Sequence, residues 1–223
     1  MRFLIIFLSA CISGYAGPLF VGISGASGSG KTTLVKAMQE HFDAEVVVLS
    51  MDNYYRDLSS LPFEDRKKIN FDDPAALDLS LLKEQILQLK KGVSINQPIY
   101  DFHTKTRSSA IIQCEPAKVI VIEGFLLLAL PEIAHFCDLK IFIEVDEIEC
   151  LFRIIERDRI HRETSVQETK ERYIRFVRPA YQKYILESRY QANLIIPHGL
   201  ENKLAFQILL HTIHSMLSGT FHS

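Results

Sequence analysis

The stretch Gly25-Ala26-Ser27-Gly28-Ser29-Gly30-Lys31-Thr32 decides the fold of this chain, because it fits the pattern G-x-x-x-x-G-K-[ST]. An apolar run at residues 19–23 precedes it, and apolar residues at helical spacing follow it across residues 33–42. Strand, glycine loop and helix N-terminus are the context that a phosphate-binding loop requires. The alternative is a glycine-rich turn that merely opens a helix, and the flanking strand and helix favour nucleotide binding.

The residue types of this loop each have a phosphate-binding role. Glycines let successive backbone N–H groups turn toward phosphate oxygens, and the helix N-terminus adds free N–H groups and a positive dipole end. Lys31 can reach the terminal phosphates, and the Thr32 hydroxyl can ligate Mg²⁺. The residues predicted to bind nucleotide are Gly25, Ala26, Ser27, Gly28, Ser29, Gly30, Lys31, Thr32 and Thr33.

Size and charge favour one α/β domain with a sizeable core, since the chain has 223 residues and a formal net charge of −2. The near-neutral balance gives no indication of a nucleic-acid partner. The four cysteines are far apart and lack C-x-x-C spacing, so we expect reduced, mostly buried thiols. They are Cys11, Cys114, Cys137 and Cys150.

The N-terminal extension, residues 1–17, differs from the rest of the chain. A positive start, a short apolar run and small residues resemble a signal peptide, and Leu8-Ser9-Ala10-Cys11 resembles a lipoprotein box. The run is too short for a comfortable membrane span. A start codon placed too far upstream, an extra hydrophobic segment and genuine export stay open. We expect residues 18–223 to form the domain, in the cytoplasm where ATP is present, with no stable membrane partner.

Five apolar runs rich in Val and Ile alternate with helical patterns, as in a parallel sheet buried on both faces. We predict an α/β fold: a doubly wound parallel sheet of about five strands, of the P-loop NTPase type, with ligands at the strands' carboxyl ends. The predicted strands are residues 19–23, 45–49, 118–122, 139–144 and 194–196. The predicted helices are residues 33–42, 79–91, 147–159, 165–190 and 202–217, the fourth kinked or broken at Pro179.

Two irregular regions, residues 51–78 and 95–113, interrupt this alternation, and the second could form a β-hairpin that stands off the sheet. Long irregular stretches in a compact domain are often functional, so we place the acceptor substrate there. Phe71 and Tyr100 lie in these regions. They could stack on a flat base or fill the core, and the sequence leaves both open.

Two acids follow predicted strands and should reach the same edge of the sheet. Asp52 follows the run Val46-Val47-Val48-Leu49-Ser50, and Glu123 follows Val119-Ile120-Val121-Ile122. Phosphoryl transfer needs one acid near Mg²⁺ and one near the attacking hydroxyl. Each acid could instead cap a helix or bond within a loop, but a phosphate loop in the same sheet favours a catalytic pair.

Arginines after the fourth predicted strand could belong to a helical lid that closes over ATP and neutralises the transferring phosphoryl group. Arg153 and Arg157 are four residues apart and share a helix face. A solvated face is the equal alternative. Its acidic partners would be Glu147, Glu149, Glu156 and Asp158.

With these motifs in order, the chain resembles the uridine kinase (uridine–cytidine kinase) family of P-loop kinases from residue 18 to about residue 217. Phosphate loops are common, but the Asp-x-x-Tyr and Asn-Phe-Asp-x-Pro stretches are more specific. The resemblance implies a homotetramer that phosphorylates the 5′-hydroxyl of uridine or cytidine in pyrimidine salvage, with ATP or GTP as donor and Mg²⁺. The matching stretches are residues 22–33, Asp52-Asn53-Tyr54-Tyr55-Arg56, Asn70-Phe71-Asp72-Asp73-Pro74, Pro98-Ile99-Tyr100-Asp101-Phe102, Ile122-Glu123-Gly124, Arg178-Pro179 and Ile195-Ile196-Pro197-His198-Gly199.

The resemblance also implies roles for individual residues. Asp52 would be the general base for the 5′-hydroxyl, and Asp72 would hold the 2′- and 3′-hydroxyls. Thr32 and Glu123 would serve Mg²⁺. The residues implied to reach the phosphates are Lys31, Arg157 and Arg162. The residues implied to bind the nucleoside are Asp72, Phe71, Tyr100, His103, Lys105 and Arg107.

The chain departs from the family pattern where the base is read. Lys105 occupies the position two before Arg107 where the family has histidine, and His103 lies two residues earlier. A lysine only donates, whereas a neutral imidazole can accept from an exocyclic amine. The phosphate and ribose residues are therefore kept and base recognition is altered. Further departures are Ile154 for a second lid arginine, Arg162-Glu163-Thr164 for Arg-Gly-Arg, and Arg172-Tyr173 for Gln-Tyr.

Two other functions stay open at this point. One is a related P-loop kinase for another small acceptor, such as a sugar phosphate or pantothenate. The other is a catalytically inactive nucleotide-binding switch, which the altered lid suggests. Lys31, Thr32, Asp52 and Glu123 are all present, and an inactive protein need not keep them.

Overall fold

The computed structural model describes residues 17–221. Residues 1–16, which include Cys11 and nearly all of the N-terminal extension, lie outside this range. The strands are β1 (Leu19–Gly25), β2 (Val46–Ser50), β3 (Ile95–Asp101), β4 (Thr106–Cys114), β5 (Val119–Glu123), β6 (Leu139–Glu144) and β7 (Leu194–Pro197). The α-helices are α1 (Lys31–Phe42), α2 (Phe63–Arg66), α3 (Leu79–Lys90), α4 (Pro131–Ala134), α5 (Glu147–His161), α6 (Val166–Arg172), α7 (Arg178–Ala180) and α8 (Lys203–Leu217).

The central sheet has five parallel strands in the order β2-β5-β1-β6-β7, which confirms the predicted doubly wound α/β fold. Successive side chains of β1 alternate between two cores because strand residues point to opposite faces. Leu19, Val21 and Ile23 pack with α1 and α8, whereas Phe20 packs with α3 and the segment after β5. All four are at most 2% exposed, which explains the nearly unbroken apolar run.

Strands β3 and β4 form the predicted hairpin as a separate two-stranded antiparallel sheet. Its register shifts between Pro98 and Tyr100. Gln97 ties the hairpin to β2: its Nε2 donates to the Val48 carbonyl at 3.2 Å, and its Oε1 accepts from the Ser50 N–H at 3.2 Å. The hairpin is thereby fixed beside the carboxyl end of β2.

Of the predicted kink or break at Pro179, the break does not occur, because the chain keeps helical dihedral angles from Val177 to Tyr181. A proline lacks the N–H donor, and its ring clashes with the carbonyl four residues earlier in an α-helix. Here π-type turns lie on both sides of α7, and the Arg178 N–H donates to the carbonyl of Tyr173, five residues back. The wider turns accommodate Pro179 without ending the helical path.

The cysteine prediction is confirmed for the three cysteines of the described range, since Cys114, Cys137 and Cys150 are free and buried. Burial raises the pKa of the Cys137 thiol to about 12, so this group stays protonated. Within residues 17–221, none of the helices has the length and apolar composition needed to cross a bilayer.

Candidate active site

The carboxyl ends of three neighbouring strands bring the phosphate loop and the two predicted acids to one edge of the sheet. Glu123 ends β5, where it lies in register with Ile23 of β1 and Ser50 of β2. The Ser50 hydroxyl donates to Glu123 Oε1 at 2.6 Å, and Asp52 follows two residues later in a 3₁₀ turn. Strand register therefore places Glu123 beside Ser50, and Asp52 follows Ser50 at the same edge of the sheet.

The phosphate loop packs closely against the helix that follows β6. Gly28 has φ +80°, and a Cβ atom there would lie 2.5 Å from the carbonyl oxygen of Cys150 in α5. Only glycine combines that dihedral angle with so close an approach. The loop and α5 are therefore held in contact at the entrance to the nucleotide cavity.

Lys31, at the start of α1, is buried and crosses the loop. Its Nζ donates to the carbonyl oxygens of Gly25 at 3.0 Å and Ala26 at 2.9 Å. Burial lowers the pKa of Lys31, and the nearby carboxylates of Glu123 and Asp52 oppose this change. The amine thus lies beside the loop and near the two acids, where it could pair with a phosphate.

The first of two adjoining cavities, the nucleotide cavity, is lined by the loop, the two acids, lid arginines and the segment after β7. Arg153 faces this cavity but is paired with Glu149 and, at 2.7 Å, with Glu201. Arg153 thus has the Glu149 partner that the solvated-face alternative expects, and it also lines the cavity. The lining residues are Ser27, Gly28, Ser29, Gly30, Lys31, Thr32, Thr33, Asp52, Glu123, Gly124, Phe125, Arg153, Arg157, His198, Leu200 and Glu201.

The oxygen donors of this cavity fit a magnesium ion that arrives with a nucleotide. Thr32 and Glu123 supply a hydroxyl and a carboxylate, and Mg²⁺ prefers such hard ligands. Within residues 17–221, no cluster of three or more His, Cys, Asp or Glu side chains could hold a metal by itself. That matches the usual mode of Mg²⁺, which takes one or two carboxylates and completes its shell with phosphate and water oxygens.

Glu123 is under electrostatic strain that a cation would relieve. Burial raises its pKa first, and the neighbouring Asp52 carboxylate raises it further. Lys31 and the hydrogen bond from Ser50 oppose both effects. A divalent cation at this position would stabilise the ionised form of Glu123.

The second cavity, the acceptor cavity, shares Ser27, Asp52, Phe125 and Arg157 with the first, so Asp52 lies where the two meet. The centres of water-sized molecules have about 110 Å³ available inside it. Its lining residues are Ser27, Asp52, Tyr55, Lys67, Ile69, Phe71, Asp72, Tyr100, Phe102, Lys105, Phe125, Arg157, Asp158, Arg162, Thr164, Arg172 and Phe176.

Aromatic side chains form one wall of the acceptor cavity. The ring of Tyr55 lies 5.3 Å from Phe71 and 4.9 Å from Tyr100, and Tyr100 lies 5.1 Å from Phe102, centroid to centroid. Phe71 and Tyr100 therefore pack with the core and also line the cavity, and their stacking on a flat base stays a prediction. Such a wall suits a flat aromatic ligand.

Asp72 and Asp73 are adjacent in sequence, but their side chains have different contacts. Asp73 caps the turn at Pro74, where its Oδ1 accepts the Ala75 N–H at 2.9 Å. Asp72 is 7% exposed and faces the cavity, with Arg172 3.9 Å away. Burial raises the pKa of Asp72, and Arg172 opposes that rise. Asp72 thus presents a carboxylate to a ligand in the cavity.

Asp158 is the main correction to the expected lid, since it is 1% exposed and not part of a solvated face. Arg157 donates to its Oδ1 through Nε at 3.0 Å and Nη2 at 2.8 Å. Arg162 lies 3.4 Å away, and Arg172 of α6 donates to Oδ2 at 2.9 Å. Burial alone would raise the pKa of Asp158, but these three arginines together lower it.

Arg162 is held inside the acceptor cavity by more than one contact. Its guanidinium lies 3.9 Å from the centroid of the Phe102 ring, a cation–π geometry. Burial, and then Arg157, lower its pKa to about 10, which leaves it fully charged at neutral pH. Arg157 and Arg162 therefore both present positive charge beside Asp52.

Two residues predicted to bind substrate do not line the acceptor cavity. His103 is exposed at the hairpin turn, where its N–H donates to Asp101 Oδ1 at 2.8 Å. Arg107 donates to the Tyr55 carbonyl at 2.7 Å and to Asp78 at 3.2 Å, so it holds the chain beside the cavity. Lys105 does line the cavity, since its φ of +54° turns the chain within the hairpin.

Sequence reasoning also missed several cavity residues, and one of them carried a detectable signal. Asp158 continues the spacing of Cys150 and Ile154, which lie on the buried face of α5. A carboxylate in that register indicates a buried charge with partners. Lys67, Phe102, Phe125, Arg172 and Phe176 come from elements that meet only in the folded chain.

Comparison with known proteins places these features in a family. The sequence model described as "Phosphoribulokinase / Uridine kinase family" matches residues 20–205. A uridine kinase of Lactobacillus johnsonii is 37% identical over 203 residues, covering 90% of this chain and 96% of that protein. A uridine kinase of Bacillus cereus is 38% identical over 201 residues, covering 90% and 95%.

A solved structure has the same fold. It is described as a possible uridine kinase from Bacillus stearothermophilus, and it superposes with a TM-score of 0.57 at 23% identity. The superposition covers 81% of this chain and 89% of the other. At that identity the likeness supports the architecture, a P-loop kinase sheet with its flanking helices.

Proposed function

Because the chain belongs to the phosphoribulokinase/uridine kinase family, we propose that it transfers the terminal phosphate of ATP to the 5′-hydroxyl of uridine or cytidine. The products are UMP and CMP. One observation carries the proposal: the phosphate-loop cavity and the aromatic acceptor cavity meet at Asp52. A donor and an acceptor bound in these cavities would have their reacting groups next to that carboxylate.

The acceptor cavity offers a contact for each part of a nucleoside. The aromatic wall that includes Phe71 and Tyr100 would stack on the base. Asp72 would accept hydrogen bonds from the 2′- and 3′-hydroxyls, which orients the 5′-hydroxyl toward Asp52. Lys105 would donate to the base edge, so the carbonyl oxygens of a pyrimidine are suitable partners.

Asp52 would act as the general base and accept the proton of the 5′-hydroxyl as the new O–P bond forms. Lys31, the loop N–H groups, Arg157 and Arg162 would hold the phosphates and stabilise the charge that develops on the transferring group. Thr32 and Glu123 would hold Mg²⁺, which supplies neutralisation of phosphate charge when bound. The transfer then depends on orientation and on charge stabilisation.

The two other functions are not favoured. An inactive switch has no need for a carboxylate where the nucleotide cavity meets an acceptor cavity. A small aliphatic acceptor would leave the aromatic wall without a partner. The aromatic wall therefore favours a nucleoside as the acceptor, with ATP or GTP as the donor.

We further propose a homotetramer of domains spanning residues 18–223 that works in the cytoplasm in pyrimidine salvage. The family resemblance supports the tetramer. The apolar side chains of Ile111 and Ile112 in β4 are 56% and 42% exposed, so association could cover them. Light scattering on the purified protein measures the subunit number, and a monomer at working concentration would contradict this part.

A substrate panel tests the proposed function. Purified protein is incubated with Mg-ATP and either uridine, cytidine, adenosine, guanosine, a pentose phosphate or pantothenate, and products are identified by mass. We expect UMP and CMP to form fastest. Phosphorylation of a different acceptor would replace the substrate assignment, and ATP binding without any transfer would support the switch.

A further inference from the structure

Arg172, the last residue of α6, lies between two buried carboxylates of the acceptor cavity. Its Nη2 donates to Asp158 Oδ2 at 2.9 Å, and its Nη1 lies 3.9 Å from Asp72 Oδ2. Asp72 comes from the long loop after β2, whereas Asp158 belongs to α5. A single guanidinium thus joins three separate parts of the chain.

We propose that Arg172 is a positioning residue for the acceptor: it holds the Asp72 carboxylate in place in the cavity, and it links Asp72 through Asp158 to the phosphate-facing arginines. The inference rests on the proposed function, because it assigns Asp72 to the acceptor hydroxyls. It adds a residue that does not itself receive the proton or the phosphate.

The surroundings of Asp72 make this support necessary. Within the described residues, Arg172 is its ion-pair partner, and no side chain donates a hydrogen bond to its carboxylate. Burial disfavours the ionised form, and Arg172 is the largest opposing influence. The other charged or titratable groups near Asp72 are Asp52, Tyr55, Arg157 and Arg162.

Loss of Arg172 would therefore raise the pKa of Asp72 further. A protonated carboxyl group has one fewer acceptor site and would bind a pair of hydroxyls more weakly. The defect should grow as the pH falls, because more of Asp72 is then protonated.

The link to the lid is geometric. Asp158 Oδ1 holds Arg157 at 2.8 Å and Arg162 at 3.4 Å, while its Oδ2 holds Arg172. Arg172 therefore contacts Asp72 and the same Asp158 carboxylate that orders Arg157 and Arg162. A bidentate guanidinium can serve two carboxylates at once, whereas a lysine is a point charge.

The test compares Arg172→Gln, Arg172→Lys and the control Lys170→Gln, which removes a charge from an exposed position of the same helix. Initial rates give KM and kcat for uridine and KM for ATP along the acid limb of the pH profile. For Arg172→Gln we expect uridine KM to rise about tenfold, as for the loss of one charge-assisted hydrogen bond, and to rise further as pH falls. ATP KM should rise less than uridine KM, because Asp158 still holds Arg157 and Arg162. Arg172→Lys should be intermediate, and Lys170→Gln should match wild type.

Unchanged uridine KM in Arg172→Gln, or equal damage to the uridine and ATP constants without a pH trend, would contradict the inference while leaving the proposed function intact. Wild-type protein that phosphorylates neither uridine nor cytidine would contradict both. If Arg172→Gln does not fold, Arg172→Lys decides: a smaller rise in uridine KM with the same pH trend supports the inference, and wild-type constants overturn it.

Discussion

Gly28 shows at the residue scale how one position without a side chain holds the nucleotide cavity together. Its φ of +80° and the 2.5 Å approach to the Cys150 carbonyl are separate constraints. Gly92 after α3 has nearly the same dihedral angle, φ +75°, but no atom lies within 4 Å of the position that a Cβ would take there. Comparing substitutions at the two glycines therefore separates the cost of the backbone conformation from the cost of the close contact.

We expect Gly28→Ala to weaken ATP binding and to destabilise the protein more than Gly92→Ala does. The left-handed conformation costs an alanine about 1–2 kcal/mol at either site, but only Gly28→Ala also pushes the loop away from α5. ATP titration and thermal unfolding of both variants measure the difference. Equal unfolding shifts and equal ATP affinities would contradict the packing argument.

The ionised Glu123 that the proposed activity needs lowers the stability of the fold. Its pKa is raised by burial and by Asp52, so the folded protein disfavours the ionised form relative to the unfolded chain. Ionised Glu123 lowers the free energy of unfolding. This loss of stability is complete once the pH has risen through the folded pKa, and it is absent below the unfolded pKa of about 4.3. At neutral pH the carboxylate therefore costs stability.

Glu123→Gln should consequently raise the unfolding temperature at neutral pH while kcat falls at least roughly tenfold, the usual minimum for altering a metal's surroundings. Glu144→Gln is the matched control, since Glu144 ends β6 in an exposed position. Melting curves across pH should converge for wild type and Glu123→Gln in acid. A lower melting temperature for Glu123→Gln at neutral pH would refute the account.

At the scale of elements, α5 presents arginines to the two cavities, and one buried carboxylate orders them. Asp158 fixes Arg157 and Arg162 within the helix and its following turn, and it receives Arg172 from α6. Its lowered pKa means that its stabilisation is present above the unfolded pKa of about 3.9 and is lost as pH falls through the folded value. The helix pair should therefore loosen in acid.

Asp158→Asn should lower kcat by about tenfold or more and also lower the unfolding temperature, because three arginines lose their shared anion. Glu156→Gln, an exposed acid on the same helix, should change neither. The stability difference between wild type and Asp158→Asn should shrink in acid. Wild-type kcat in Asp158→Asn would show that the arginines are ordered by other means.

The predicted elements succeeded where local pattern decides the structure. The runs around Val21 and Val121 read as strands because both faces of the sheet are buried, and the loop motif fixed the start of α1 to within two residues. The helical path does not break at Pro179 because π-type turns accommodate the proline, and the residue pattern does not predict such turns.

Within the candidate site, the residues at strand ends were predictable from the sequence, whereas those from the hairpin and from α6 were not. Residues from strand ends, Asp52 and Glu123, were found because a parallel sheet gathers such ends at one edge. His103 and Arg107 were misplaced because the hairpin turn and the left-handed Lys105 decide which side chains face inward. Arg172 reaches the cavity through the packing of α6 on α5, so only the folded chain reveals it.

At the scale of the whole molecule, elements from distant parts of the chain line two adjoining cavities. The sheet and phosphate loop supply the nucleotide cavity, and the hairpin, the loop after β2 and the lid helices supply the acceptor cavity. Asp52 lies on their boundary, half-buried, and it lines both cavities. The central claim is that this carboxylate takes the proton of the acceptor hydroxyl.

The kcat of Asp52→Asn with uridine and Mg-ATP tests that claim most directly, with Asp57→Asn as the control. Asp57 is an exposed acid five residues later that bonds Ser59 and Thr106 and lines neither cavity. The account predicts that Asp52→Asn loses about 100-fold or more in kcat, the usual contribution of a general base, while ATP KM and the Asp57→Asn constants stay near wild type. A wild-type kcat in Asp52→Asn would contradict it.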